Sequence, residues 1–353
     1  MTTSRLFTHI AFAAVLAVIA YGITWLMCHV VRIMDRPSHR TAHEAPVPRA
    51  GGVSIVATWL IGMALIAFLG KWKPVEHVYL EGLVLSSLVV AMVSLCDDIW
   101  NTSAQFRLVS QSIAVLVALQ YGIVLDRVAD FTLAGWVAYL ISFVWILGLT
   151  NAYNFMDGLD GLAAGVAVIA SLYFMGITYY QGSTFTYITC YTILAGAFGF
   201  LWLNWPPARI FLGDVGAVFL GFVFATLAII AARYDASHTS FLVIPLLLFN
   251  FIFDTSFTFI RRLLIGENVA LAHRTHLYQL LHRTGFSHLE VSLMQYCMVF
   301  LQGLGALWLV RIPGNERLLV FVPFLLFQGV YAVMVLRRAR RCDIDLWCPP
   351  GVS

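Results

Sequence analysis

The stretch GDVGAVFLGFVFATLAIIAA, residues 213–232, carries a single charge, Asp214. About twenty apolar residues are what an α-helix needs to cross the hydrocarbon of a bilayer. The segment therefore predicts a membrane-spanning helix with a carboxylate near its N-terminus. Comparable runs lie near 8–31, 53–70, 79–95, 106–124, 131–149, 159–178, 186–203, 240–258, 291–310 and 318–336, giving about eleven spans on the same criterion. Unbroken apolar runs of this length pair their backbone groups inside one helix and do not suit a β-barrel. The expectation is an all-α, polytopic integral membrane protein. With no internal repeat and no low-complexity linker, residues 1–353 read as one integral domain.

The composition agrees. The chain is 61% hydrophobic and only 11% charged, with mean hydropathy +0.86. A soluble domain carries about 25% charged residues, so these charges are too few to cover a water-facing surface. A net charge of +3, held at the ends of apolar runs, is not a nucleic-acid footprint. The six cysteines form no CxxC pair and read as reduced and structural. The run from Thr8 to Val31 spans a full bilayer and leads into Arg32, which suits a retained first helix better than a cleaved signal. Of the 21 Lys and Arg residues, fourteen fall in the loops of one side and seven in those of the other. The positive-inside rule makes the richer side cytoplasmic, with the N-terminus outside and the C-terminus inside.

The unusual polar residues gather on that cytoplasmic side, and ionisable groups near membrane depth are a mark of function. Asp97 and Asp98 end an apolar helix side by side, where two carboxylates call for a cation or a shared proton. Arg107 follows, as a phosphate contact or a helix anchor. Asn151, Asn154, Asp157 and Asp160 recur every third residue, so neighbours share a face if the run is helical; an aspartate can also cap the next helix. In Asn204–Gly216 the prolines end one helix and Asp214 opens the next, as an N-cap or a metal ligand. His273 and His276 flank Arg274 in the longest cytoplasmic loop, near His282 and His288, and suit diphosphate or uridine binding or proton transfer. The segment Asp35–Gly52, with Arg40, His43 and Arg49, suits anionic lipid phosphate or simply obeys the topology rule. Gly51-Gly52 reads as a hinge or a helix start.

Taken in order, these segments resemble the polyprenyl-phosphate N-acetylhexosamine-1-phosphate transferases, the superfamily of WecA, TagO, WbpL and MraY. The resemblance runs over nearly the whole chain: D-x-P-x-x-R-x-x-H, P-x-P-R-x-G-G, the DD pair, N-x-x-N-x-x-D-G-x-D-G-L, F-x-G-D-x-G and a His-containing loop. It implies transfer of N-acetylhexosamine-1-phosphate from a UDP-sugar to undecaprenyl or another polyprenyl phosphate, releasing UMP. Mg²⁺ is the implied cofactor, with Mn²⁺ as a substitute. Asp97 and Asp98 map onto the catalytic pair, and Asp214, with Asp98, onto the metal site. Asn151, Asn154, Asp157, Asp160, Asn204, His273, Arg274 and His276 map onto the nucleotide-sugar region. Arg40, His43, Arg49 and Arg107 are the expected contacts to lipid phosphate. Asn101 and Ala217 depart from the common pattern, and His273-Arg274-Thr275-His276 is not the triple histidine of MraY; the wording is nearer the WbpL/WecA-like branch. The implied setting is the bacterial inner membrane and the start of O-antigen, lipopolysaccharide or another envelope glycan, with a homodimer as one admissible assembly.

Both substrates are anionic, so the main task is to align phosphate with the UDP β-phosphorus against charge repulsion. Direct attack is favoured over a phospho-aspartate route. The rival outside enzymology is a multi-span secondary transporter, but that class places its sites near the midplane, often at repeated broken helices.

Overall fold

The computed structural model describes residues 3–35, 46–69, 77–269 and 273–344. Thirteen α-helices occur among them, and a 3-10 helix over Gly314–Val320 leads into the last. They are α1 (Thr3–Leu26, continued by a π turn over Met27–Val31), α2 (Val53–Leu69), α3 (His77–Trp100), α4 (Ala104–Gln120), α5 (Gly135–Phe155), α6 (Leu162–Tyr180), α7 (Phe185–Asn204), α8 (Gly213–Arg233), α9 (Val243–Leu247), α10 (Phe249–Leu264), α11 (Leu277–Arg283), α12 (His288–Leu309) and α13 (Phe321–Arg341). Among the described residues sheet is confined to two ribbons, β1 (Met34–Asp35) with β2 (Val47–Pro48) and β3 (Arg127–Val128) with β4 (Phe131–Thr132).

Eight of the eleven expected spans are single helical segments long and apolar enough to cross a membrane. The other three differ for physical reasons. Helices α2 and α4 have 17 residues each, short of the usual ~20. The run 240–258 is not one helix but two, broken at Leu248, whose φ/ψ of −109°/21° leaves the helical region. A break in an apolar interior must satisfy the backbone groups it frees. Gln302, 1% exposed, does so with its amide turned to donate to Leu247 O and accept from Asn250 N, both at 3.1 Å.

The chain passes along the bundle eleven times among the described residues, counting α9 and α10 as one broken passage. Contacts at the two ends fix the alternation. At one end Cys28, Asp98, Gly161, Asn204 and Asp214 converge. At the other, Tyr234 Oη donates to Gly122 O at 2.5 Å and Asn315 N donates to Asp130 Oδ2 at 3.0 Å. Helix α8 lies at the centre, packed against α3 and α5. In its most apolar stretch 94% of the residues are buried, against 22% in α1 and in the segment holding α13, so the rim helices turn apolar side chains such as Leu326 and Val330 outward. Five cysteines are unpaired among the described residues.

Gly51-Gly52 is a helix start rather than a hinge. Gly51 N and Gly52 N donate to Phe211 O and Leu212 O at 3.0 and 2.8 Å, tying the start of α2 to the turn before α8. A Cβ on Gly52 would lie 2.2 Å from Gly216 Cα, where neither backbone can yield. Gly52→Ala is expected to destabilise the protein by about 1–3 kcal/mol, the usual cost of overpacking, seen as a lower melting temperature in detergent.

Candidate active site

Every motif at the polar end is placed by a helix terminus. The last turn of α3 carries Asp97 and Asp98, and the first turn of α8 carries Asp214. Asp98, 3% exposed, accepts from Asp214 N through Oδ1 and from Val215 N through Oδ2, both at 3.0 Å. It therefore caps α8 from another helix, using two of the amides that a helix N-terminus leaves unpaired and the positive end of its dipole. Gly213 makes room with φ +75°, since a Cβ there would lie 2.7 Å from Asp98 Oδ2.

Asp97 is held differently. Its Oδ1 accepts from Thr102 N at 2.6 Å and from the Thr102 hydroxyl. Its Oδ2 lies 3.2 Å from Arg107 Nη1, and the same nitrogen lies 3.1 Å from Asp214 Oδ2. One guanidinium thus bridges two carboxylates from α3 and α8. Arg49 stands on the other side, donating to Asn101 Oδ1 at 2.8 Å and 3.6 Å from Asp35 Oδ1. Its backbone is fixed by the β1–β2 ribbon, where Arg49 N donates to Ile33 O at 2.7 Å.

A cavity of about 530 Å³ opens on this cluster. Asp98, Asp157, Asp160 and Asp214 line its acidic side, and Arg49, Arg274, His282, Arg283 and His288 supply the basic groups. Asn204 lines it too, but its side chain works as a pin: Nδ2 donates to Ile210 O at 2.8 Å and Oδ1 accepts from Gly161 N at 3.1 Å. The loops before α6 and α8 are thereby locked together.

Burial, and then the charges of Asp214, Asp98 and Asp160, push the Asp157 carboxyl well above the usual carboxylate range. The sign follows from linkage: the protonated form favours the fold, so this group's contribution is present at low pH and is lost as pH rises through the raised value. Asp157→Asn is expected to raise the melting temperature of metal-free protein near neutral pH, with the gain shrinking under acid conditions.

Several expected residues stand elsewhere. Asn151 Nδ2 donates to Gln111 Oε1 at 2.8 Å and to Leu147 O at 2.9 Å, inside the bundle, and neither it nor Asn154 lines the cavity. His276 is 4% exposed, with Nδ1 3.2 Å from Asp254 Oδ1. Asp254 also accepts from Leu277 N at 2.9 Å and Tyr278 N at 3.1 Å, so it caps α11 and orients the loop. His273 stacks on His276 with ring centroids 4.8 Å apart. Burial, followed by His276, Arg262 and Arg261, lowers its pKa to about 3, so it is a neutral ring. Arg107 touches the acidic pair from a small cleft between α3, α4 and α8 rather than from the main cavity. Arg40 and His43 lie outside the described residues.

Asp254 hides in an apolar run, where no motif marks it. His282, His288, Gln279 and Arg283, to which the motifs give no role, all line the cavity. Their position within twelve residues of His276 is the available signal.

Among the described residues no three His, Cys, Asp or Glu side chains converge to enclose a metal. Asp97 and Asp214 nevertheless meet over one Arg107, with Asp98 and Asp157 close by. That excess of carboxylate suits a hard divalent cation, and Mg²⁺ usually takes one or two carboxylates and completes its shell with water and substrate phosphate.

Residues 80–232 match the family described as glycosyl transferase family 4. A probable undecaprenyl-phosphate N-acetylglucosaminyl 1-phosphate transferase of Bacillus subtilis is 29% identical over 85% of the chain and 83% of its own length. An undecaprenyl-phosphate alpha-N-acetylglucosaminyl 1-phosphate transferase of Thermotoga maritima is 27% identical over 76% of the chain and 80% of its own length. A phospho-N-acetylmuramoyl-pentapeptide-transferase of Staphylococcus saprophyticus is 31% identical over 48% of the chain and 50% of its own length.

Proposed function

We propose that the chain belongs to the superfamily of polyprenyl-phosphate N-acetylhexosamine-1-phosphate transferases and that it moves a hexosamine-1-phosphate from a UDP-N-acetylhexosamine to undecaprenyl phosphate, releasing UMP. The observation that carries the reading is the joining of Asp97, Asp98 and Asp214 at one end of the bundle, beside a cavity that also holds Asp157 and Asp160. That end is taken as cytoplasmic from the distribution of Lys and Arg, which puts the donor cavity where nucleotide sugars are made. A secondary transporter has no support in these relatives, and its site would not gather at helix ends on one face.

The reaction is a phosphoryl transfer. An oxygen of the acceptor phosphate forms a bond to the β-phosphorus of the donor. The bond from that phosphorus to the bridging oxygen breaks, and its electron pair leaves with UMP. The acceptor phosphate is already ionised near neutral pH, so the protein's work is alignment and charge compensation. Arg107 offers a guanidinium to phosphate at the edge of the acidic pair, and Arg274 and Arg283 face the cavity from the loop side. Asp98 holds the first turn of α8, and so the place of Asp214. Asp214 and Asp97 would hold Mg²⁺, which supplies Lewis-acid polarisation of the diphosphate when bound. Both oxygens of Asp98 accept from backbone amides of α8, which ties that carboxylate to the helix start and favours direct attack by the acceptor phosphate over a phosphorylated Asp98.

The test is release of UMP by purified protein given undecaprenyl phosphate, Mg²⁺ and each of several UDP-N-acetylhexosamines. Release with at least one donor, stopped by EDTA and restored by Mg²⁺, is the expected result. Silence with every donor would overturn the reading. The donor that works names the sugar; the glycan begun is O-antigen, lipopolysaccharide or another envelope glycan in this reading.

A further inference from the structure

Helix α13 ends in the basic run Arg337-Arg338-Ala339-Arg340-Arg341. Arg338 reaches back into the protein. Its Nε donates to Thr284 Oγ1 at 3.0 Å, its Nη2 donates to Thr284 O at 3.1 Å, and its guanidinium lies 4.7 Å from the centroid of the Phe286 ring. Thr284 and Phe286 belong to the turn between α11 and α12, whose flanking residues His282 and His288 line the main cavity. The contact accounts for Arg338 as a structural anchor. It also places the basic run at the same end of the bundle as Asp98 and Asp214.

Arg337 and Arg341 have no such role. Both are exposed, and among the described residues neither side chain makes a hydrogen bond or an ion pair. They continue a stripe. Leu326, Val330 and Met334, each at least 60% exposed, recur every four residues along α13. Positions three and four apart share a helix face, so Arg337 and Arg341 stand on the same face beyond Met334. The buried face of α13 is formed by Gln328, Ala332, Val335 and Ala339. Val330, Met334, Arg337 and Arg341 each lie two residues on from one of these, which at ~100° per residue is the opposite side of the helix. The stripe is therefore turned away from the bundle and from the cavity, toward lipid. Its apolar members cover about 12 Å at ~1.5 Å per residue, close to the roughly 15 Å of hydrocarbon in one leaflet.

We propose that this outer face of α13 is a site for one anionic phospholipid of the leaflet on the cavity's side. Arg337 and Arg341 take its phosphate, for which the guanidinium fork has the matching geometry, and the Leu326–Val330–Met334 stripe carries an acyl chain. The charge of the occupant follows from the two guanidiniums and its lipid nature from the stripe. A phospholipid fits where the prenyl acceptor does not, because the acceptor's phosphate must reach the acidic cluster on the other side of the helix. The turn of α13 that holds this lipid also carries Arg338, so the lipid braces the α11–α12 turn from outside.

The test is native mass spectrometry of the full-length protein in detergent, titrated with phosphatidylglycerol or with neutral phosphatidylcholine, and thermal melting with the same lipids. The wild type is expected to take its first phosphatidylglycerol roughly 10-fold or more tightly than phosphatidylcholine, on the scale of about 5-fold per arginine at an anionic surface, and to melt higher when it is bound. Replacing both residues, Arg337→Gln with Arg341→Gln, should abolish the preference and the melting shift and leave the lipid-free melting temperature unchanged. Arg338→Gln should do the reverse, lowering the lipid-free melting temperature and keeping the preference. Added salt should weaken the binding of phosphatidylglycerol and not of phosphatidylcholine, since exposed charges are screened. Glycerophosphoglycerol, the headgroup without its chains, should give no shift. A wild type without the preference, or a double variant that keeps it, overturns the proposal, as does an equal shift with the headgroup alone. Undecaprenyl phosphate that binds more tightly than phosphatidylglycerol and is lost in the double variant would give the site to the acceptor and overturn it too. The transferase reading is tested by UMP release and stands or falls separately.

Discussion

Asp214→Asn is expected to lower kcat by roughly 10³-fold or more, the scale of losing one preorganised charge-stabilising group in a phosphoryl or acyl transfer, while leaving the protein folded. Asn has the same shape as Asp, and the backbone of Asp214 remains capped by Asp98. The charge is what goes. Arg107 is then balanced by Asp97 alone at 3.2 Å, and one carboxylate is removed from a crowded group. The melting temperature in the absence of metal should hold or rise. Turnover and thermal melting of the same preparation check both halves, and a parallel loss of fold would place Asp214 among structural groups instead.

Asp98→Asn should also cost activity heavily, by the opposite route. Both Asp98 oxygens accept from backbone amides. An Asn can accept with one atom only; its NH₂ group must face the second N–H. One buried hydrogen bond is lost and two donors are opposed, a penalty of about 1–3 kcal/mol. The first turn of α8 shifts, and Asp214 shifts with it. Activity and melting temperature are expected to fall together, and Asp98→Glu should not rescue them, because Asp98 Oδ2 already sits close to where a Cβ on Gly213 would be. Two neighbouring aspartates, Asp98 and Asp214, would then be separated by a stability readout although both are essential to turnover.

The bundle was legible because lipid makes a coarse demand. Each passage needs a long apolar run, and the runs are plain in the sequence. The break at Leu248 was not legible, since the apolar run continues through it and the group that repairs it, Gln302, lies on α12. The acidic cluster was legible as a set of helix-end carboxylates on one side. The division of labour within it was not. That Asp98 caps α8 depends on a partner 116 residues away. The same applies to His276: a His-x-x-His spacing in a basic loop suggests a ligand site, but Asp254, 22 residues earlier, turns it inward. Asn151 likewise looks like part of a ligand-binding face, yet its amide is bonded to Gln111 on the neighbouring helix. Spacing reports which residues can share a face and says nothing of which helix that face meets.

The most direct measurement follows the β-phosphate. UDP-N-acetylglucosamine, or whichever donor proves active, is labelled with ³²P at the β position and incubated with the protein, undecaprenyl phosphate and Mg²⁺. Transfer of a sugar-1-phosphate carries the label into the lipid fraction while unlabelled UMP appears in equal amount. Label retained in the nucleotide, released as UDP while unlabelled sugar enters the lipid, would contradict the account.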